Sequence, residues 1–163
     1  MSILLSSAEI FGLAKEIEKS GQAYYQTIAS STDSRYLKEL FDHLAGEEER
    51  HYRTFEKLAR EYPELEVDAE EWEQTSAYLK ATSDSRFFIG EDKAIRLAGT
   101  VKEPLKAIDI AIDFEKDTLL FFYELLNVTP AKAREAAKAI VEEEKRHVLL
   151  LSDRRKRFAA HPD

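Results

Sequence analysis

The segment Gly46-Glu47-Glu48-Glu49-Arg50-His51 returns 96 residues further on as Glu142-Glu143-Glu144-Lys145-Arg146-His147. Each copy puts a histidine three residues after a glutamate, so in a helix the two side chains share a face. Taken singly, Glu-x-x-His in an acid-rich chain is a weak signal and reads as a solvated pair. Their surroundings set these two apart. Glu48 stands seven residues after Phe41 and seven before Phe55, and Glu144 seven after Ala137 and seven before Leu151. Those neighbours belong to apolar stripes, with Leu37, Leu40, Leu44 and Leu58 in one helix and Ile140 and Val141 in the other. Steps of three, four and seven residues direct both stripes at a core. Both acids therefore sit where a hydrophobic residue is expected.

Two more acids do the same. Glu18 lies midway between Phe11 and Tyr25, and Glu115 midway between Ile108 and Phe122. Ile17-Glu18-Lys19 and Tyr24-Tyr25 are matched, 97 residues later, by Phe114-Glu115-Lys116 and Phe121-Phe122. The near-equal offsets describe two helix pairs of one design, with their acids in pseudo-twofold positions. Four carboxylates facing one another in a core would cost several kcal/mol each unless neutralised. No lysine or arginine occupies these faces. Two divalent cations carry enough charge to balance four carboxylates, and neutral imidazoles would complete their coordination.

Outward from the acids, Ser6-Ser7-Ala8-Glu9 reads as a capping box opening a helix that runs to about Ser30. A polar turn at 30–34 leads to a second helix that Pro63 stops. Pro104 suits the first turn of a third helix reaching about Leu126. Thr129-Pro130 reads as an N-cap and first turn of a fourth, reaching about Phe158. Strand signals are weak throughout. Short links make each pair antiparallel, and a longer connection joins the pairs, one of the known ways to close a four-helix bundle. The expected domain is a single all-α unit over 1–163, with helix pairs at 7–62 and 104–158. In the connecting segment, 63–103, a helix is expected from Asp68 to about Leu79, loop at 82–85 and Gly90, and a short helix from Asp92 to Leu97.

The composition narrows the function. A net charge of −8 opposes nucleic acid as a partner. The absence of cysteine removes disulfides, thiol catalysis and thiolate-bound iron from this chain. No apolar run approaches membrane-spanning length, and Met1-Ser2-Ile3-Leu4-Leu5 lacks the basic flank of a signal peptide, so a cytoplasmic protein without membrane contact is expected.

One glutamate from each of two helices and Glu-x-x-His from each of two others is the donor pattern of ferritin-like di-metal bundles. Within that superfamily, Glu18-Lys19-Ser20-Gly21 leading to Tyr24-Tyr25, its counterpart Phe114 to Tyr123, and the two Glu-x-x-His segments resemble the rubrerythrin-like proteins. The resemblance covers the four long helices and not the segment 63–103. It implies Glu18, Glu48, His51, Glu115, Glu144 and His147 as ligands of two iron ions, manganese being the other candidate, with Glu48 and Glu144 bridging. It also implies an oxidoreductase that reduces hydrogen peroxide or dioxygen, with iron binding without turnover and a dimanganese catalase-like enzyme as alternatives. Two departures stand out. The cysteine-bound iron module usual in rubrerythrins is missing, so electrons must come from a separate protein, and Thr118 stands where a further glutamate is usual. A homodimer is expected. Around the ligands, Tyr25 and its aromatic neighbours read as packing that shields the site. Tyr24, Tyr52 and Tyr123 are the hydroxyls considered near the metals, each better read as satisfied elsewhere. Glu47 and Glu143, beside the ligands, are placed to orient the histidines, although a solvated helix face is the preferred reading, and Arg154-Arg155-Lys156-Arg157 reads as a complement to a helix dipole.

Overall fold

Four long helices carry the chain in the computed structural model, which describes residues 1–83 and 90–162. In chain order the elements are β1 (Ser2–Ser6), α1 (Ser7–Ser31), α2 (Arg35–Glu61), β2 (Glu64–Asp68), α3 (Ala69–Ser83), α4 (Glu91–Thr100), α5 (Pro104–Val128) and α6 (Ala131–Ala160). The bundle is α1, α2, α5 and α6. α1 packs on α2 and α5 on α6, and the pairs meet through α1 against α5 and α2 against α6. This is the all-α four-helix bundle of two repeated pairs that the periodicity predicts.

Local chemistry sets the helix ends. Ser6 Oγ accepts from Glu9 N–H at 3.3 Å while Ser6 N–H donates to Glu9 Oε2 at 2.9 Å, the reciprocal capping box. Ser34 Oγ accepts from Leu37 N–H at the start of α2, and Pro104 opens α5. The second proline signal misleads. Thr129 does not cap α6: its hydroxyl donates back to the Leu125 carbonyl at 2.7 Å, closing α5, and α6 begins without a side-chain cap. A β-hydroxyl can satisfy either the helix behind or the one ahead, and sequence does not say which.

The chain also holds a two-stranded antiparallel ribbon that its weak strand signals did not predict. β1 pairs with β2 in the register Ser2 with Asp68 through Ser6 with Glu64. Glu64-Leu65-Glu66-Val67-Asp68 alternates with period two and buries Leu65 and Val67. Five residues are too few for that alternation to stand out. The amino terminus lies 3.1 Å from Asp68 Oδ2, and Asp68 Oδ1 accepts from Glu70 and Glu71 N–H to start α3.

The connection then dresses the bundle. α3 packs on α5, with Trp72 half-buried against the core, and α4 packs on α1, burying Ala94 and Ala98. Gly90, at φ +116°, makes the turn into α4 and donates its N–H to the buried Ser20 Oγ at 2.7 Å. α3 runs through Thr82 and Ser83, where loop was expected, and the rest of that expected loop, 84 and 85, lies outside the described residues. Arg155 pairs with Asp109 across α5 and α6, and Arg154 sits 5.3 Å from the Tyr36 ring centroid, so these basic residues bind between helices as well as ending one.

Candidate metal centre

Glu18, Glu48, Glu115 and Glu144 all face inward and converge midway along the bundle, each fully buried. Aromatic plugs close the layer at both ends. Phe11, Phe55 and Phe122 pack in series as tilted pairs at 5.9 and 5.3 Å on one side, and Tyr24, Tyr25, Phe41 and Phe114 pack on the other. The heptad spacing of acid and aromatic along each helix produces this layering, because residues seven apart fall on one face two turns away.

The donor atoms form two groups. Glu18, Glu48, His51 and Glu144 bring ligand atoms within 4.8 Å of one another, and so do Glu48, Glu115, Glu144 and His147. Both groups share Glu48 and Glu144. His51 Nδ1 is 2.7 Å from Glu144 Oε1 and 3.5 Å from Glu18 Oε2. His147 Nδ1 is 3.0 Å from Glu144 Oε2, 3.5 Å from Glu48 Oε1 and 3.6 Å from Glu115 Oε1. The imidazoles stack at 5.5 Å, nearly parallel. All six residues expected as ligands from the sequence are thus brought together.

Protein partners leave much of this cluster unsatisfied. Both oxygens of Glu18 and of Glu48, and Glu115 Oε2, are buried without a hydrogen-bond donor. Buried polar atoms are ordinarily paired, and bare carboxylate oxygens in this number fit a cation that takes the place of donors. Hard oxygen donors and imidazole, without sulfur, suit iron, manganese or zinc.

The electrostatics of the metal-free cluster follow from its crowding. Burial, then repulsion from Glu144, pushes the Glu18 and Glu48 carboxyls well above their usual range, and the same two causes raise Glu115 to about 7. Burial by itself would lower the histidines. Close contact with Glu144 and the charges around it outweigh that for His51, raised to about 9, and contact with Glu115 and Glu144 does so for His147, raised to about 11. Burial opposes the ionised form of Glu144, yet contact with both histidines holds its pKa below the ordinary value. Without metal, protons and imidazolium charge keep the cluster tolerable.

Three further residues shape the site. The Tyr25 hydroxyl, read from sequence as packing, donates to Glu115 Oε1. Burial and the adjacent Glu115 raise its pKa far above the usual phenol value, so it stays a donor. The other tyrosines are engaged elsewhere: Tyr24 donates to the Ala107 carbonyl at 2.9 Å, while Tyr52 and Tyr123 lie under lysines. The sequence places Tyr25 on the stripe of Glu18 but does not show what its hydroxyl meets. Glu143 is only partly exposed, and its Oε2 sits 2.7 Å from His51 Nε2, turning the Nδ1 of that ring inward. Of the two readings of Glu143, the contact is that of an orienting partner and not of a solvated face. Gly21 makes room for Glu48: a Cβ there would lie 3.0 Å from Glu48 Oε2 and 2.8 Å from Phe114 Cε1.

A helical bundle with paired Glu-x-x-His helices and two acid-bearing partners defines the ferritin-like class of carboxylate-bridged metal proteins. Residues 9–153 match the Rubrerythrin family, and the chain belongs to that family. Among solved structures it is similar to a protein of Thermotoga maritima described as a ferritin-like diiron-carboxylate protein, with a TM-score of 0.66 and 22% identity. That likeness covers 93% of this chain and 95% of the other. No curated protein matches the sequence. Among the described residues, no helix is long and apolar enough to cross a membrane.

Proposed function

We propose that the chain is a dinuclear oxidoreductase whose ligands are Glu18, Glu48, His51, Glu115, Glu144 and His147, with iron as the working metal. The observation that carries this reading is the sharing of Glu48 and Glu144 by two buried four-residue groups, which is the geometry of bridging carboxylates. Two bound irons together would supply the two electrons that reduce hydrogen peroxide or dioxygen. The chain's own residues do the rest. Glu143 holds the Nε2 hydrogen of His51, leaving the Nδ1 lone pair for the centre. Tyr25 fixes Glu115, and the aromatic plugs keep water from the carboxylates. Loading displaces the protons that the metal-free cluster retains on Glu18, Glu48, Glu115 and the histidine Nδ1 atoms.

The 163 residues contain no cysteine to hold a thiolate-bound iron, and we take the electron donor to be a separate protein. Thr118, buried with an unpartnered hydroxyl, offers no extra carboxylate, so the ligand set is the six residues above. We take the working unit to be a homodimer. The test is elemental analysis of protein purified without oxygen, then rapid mixing with peroxide and separately with dioxygen. Two irons per chain, oxidised by one of the two and restored by a reductant, are expected. Glu48→Ala and Glu144→Ala should each abolish dinuclear loading, and loading at two per chain in both variants would refute the bridging assignment.

A further inference from the structure

Of the six candidate ligands His147 is the most exposed, at 4%, so a route inward passes this residue. Outside it lies a surface cavity of about 330 Å³ between α2 and α6, with Glu47, Arg50, Glu143 and Arg146 among its walls. The histidines have two working edges. Their Nδ1 atoms point into the carboxylate layer and their Nε2 atoms toward this mouth, where Glu47, His51 and His147 bring ligand atoms within 4.8 Å of one another. His147 Nε2 is buried, has no hydrogen-bond partner and lies 3.9 Å from Glu47 Oε2. It is a nitrogen aimed at a carboxylate with a gap between them. Arg50 spans the opening, contacting Glu47 through one amino group and Glu143, at 2.9 Å, through the other. Its side chain is half exposed and held across the opening by those two ion pairs.

From this geometry we infer a transit site for a divalent cation, formed by Glu47 with the outward nitrogens of His51 and His147 and latched by Arg50, through which metal reaches the inner centre. The inference rests on the dinuclear reading above. The mouth is a stage and not a third resting place, because a neutral imidazole has one lone pair. A ring that binds an inner ion through Nδ1 carries its hydrogen on Nε2 and no longer offers the outer donor. The approaching cation displaces the Arg50 guanidinium from Glu47, takes that carboxylate and an Nε2 lone pair as the hydrogen on that nitrogen leaves to solvent, and passes inward. Once the centre is full, Glu143 again accepts from the Nε2 hydrogen of His51, and Glu47 returns to Arg50.

The test uses the whole chain, stripped of metal and mixed rapidly with excess Co²⁺, whose visible absorption reports exchange of water for protein ligands. Final stoichiometry is measured separately by equilibrium dialysis. Glu47→Gln keeps a hydrogen-bond acceptor and removes the charge. It should slow uptake roughly tenfold, the low end of what a charge-lined cleft adds to an on-rate, while still ending at two ions per chain. Arg50→Gln should load faster than the unmodified chain, because the latch and its positive charge are gone. Uptake by the unmodified chain should also slow as salt rises, a readout independent of any variant. Two ions per chain with equal rates in all three proteins, or uptake insensitive to salt, would overturn the transit site and leave the centre intact. No loading of the unmodified chain would instead sink the dinuclear reading itself.

Discussion

Gly21→Ala puts a single methyl group against a residue that serves both halves of the centre. The added Cβ would meet Phe114 Cε1 at 2.8 Å and the Glu48 carboxylate at 3.0 Å to Oε2 and 3.3 Å to Cδ. Carbon atoms rest about 3.5–4.0 Å apart, so the Phe114 ring must retreat by about 0.7 Å or more. The Glu48 carboxylate must give by several tenths of an ångström. Overpacking of this kind costs about 1–3 kcal/mol, against about 1 kcal/mol that alanine returns to a helix interior over glycine. The net expectation is a fold weakened by about 0–2 kcal/mol. Metal binding should suffer more, because the displaced carboxylate belongs to both donor groups. The assay is paired: urea unfolding of the stripped protein, and equilibrium dialysis against Fe²⁺ without oxygen. Gly46→Ala is the control, since a Cβ at that exposed helical position meets nothing within 4 Å. It should stabilise by about 1 kcal/mol and leave loading alone. If Gly21→Ala matched that control in both stability and affinity, the close approach to Glu48 would have no bearing on the centre.

The metal-free protein should lose stability as pH rises. Glu115 binds its proton up to about 7 in the fold and the histidines theirs up to about 9 and 11, all above their unfolded values, so the folded state holds more protons. Stripped protein should therefore melt lower at pH 8 than at pH 6. The loaded protein should show the smaller decline, and loading itself should tighten with pH as protons are released; melting curves with and without chelator check both. Tyr25→Phe removes the donor to Glu115 and should weaken metal affinity about tenfold or more, read by dialysis, with the fold retained. Ser20→Ala frees the Gly90 N–H and should cost about 1 kcal/mol in unfolding while leaving two ions bound.

The four inward carboxylates were legible because each interrupts an apolar stripe at a heptad position, a pattern that solvated acids do not make, and the two histidines because each follows one of them by three residues on the same face. Helix ends marked by Ser6, Ser34, Pro63 and Pro104 were legible for equally local reasons. What escaped needed a second element to become visible. Tyr25 acquires a role only when α5 brings Glu115 to its hydroxyl, and Glu143 only when α2 brings His51. Thr129 had two helices to choose from, and β1 is intelligible only beside β2, 58 residues away at its nearest rung. One helix shows which face is buried; it does not show which atoms the neighbouring helix will present.

The bookkeeping of donors between the two repeats has a further consequence. The α1–α2 hairpin holds Glu18, Glu48 and His51, three members of one group, and borrows Glu144; the α5–α6 hairpin holds Glu115, Glu144 and His147 and borrows Glu48. Neither hairpin encloses a complete quartet, and the loan is reciprocal. Two copies of a half-length polypeptide, related by a dyad through the centre, would satisfy the same arithmetic. Fusion into one chain is what lets the halves stop being identical, and Arg50 has used that freedom by reaching the carboxylates of both sides, whereas its repeat counterpart Arg146 comes no nearer than 3.9 Å to Glu143 on its own helix.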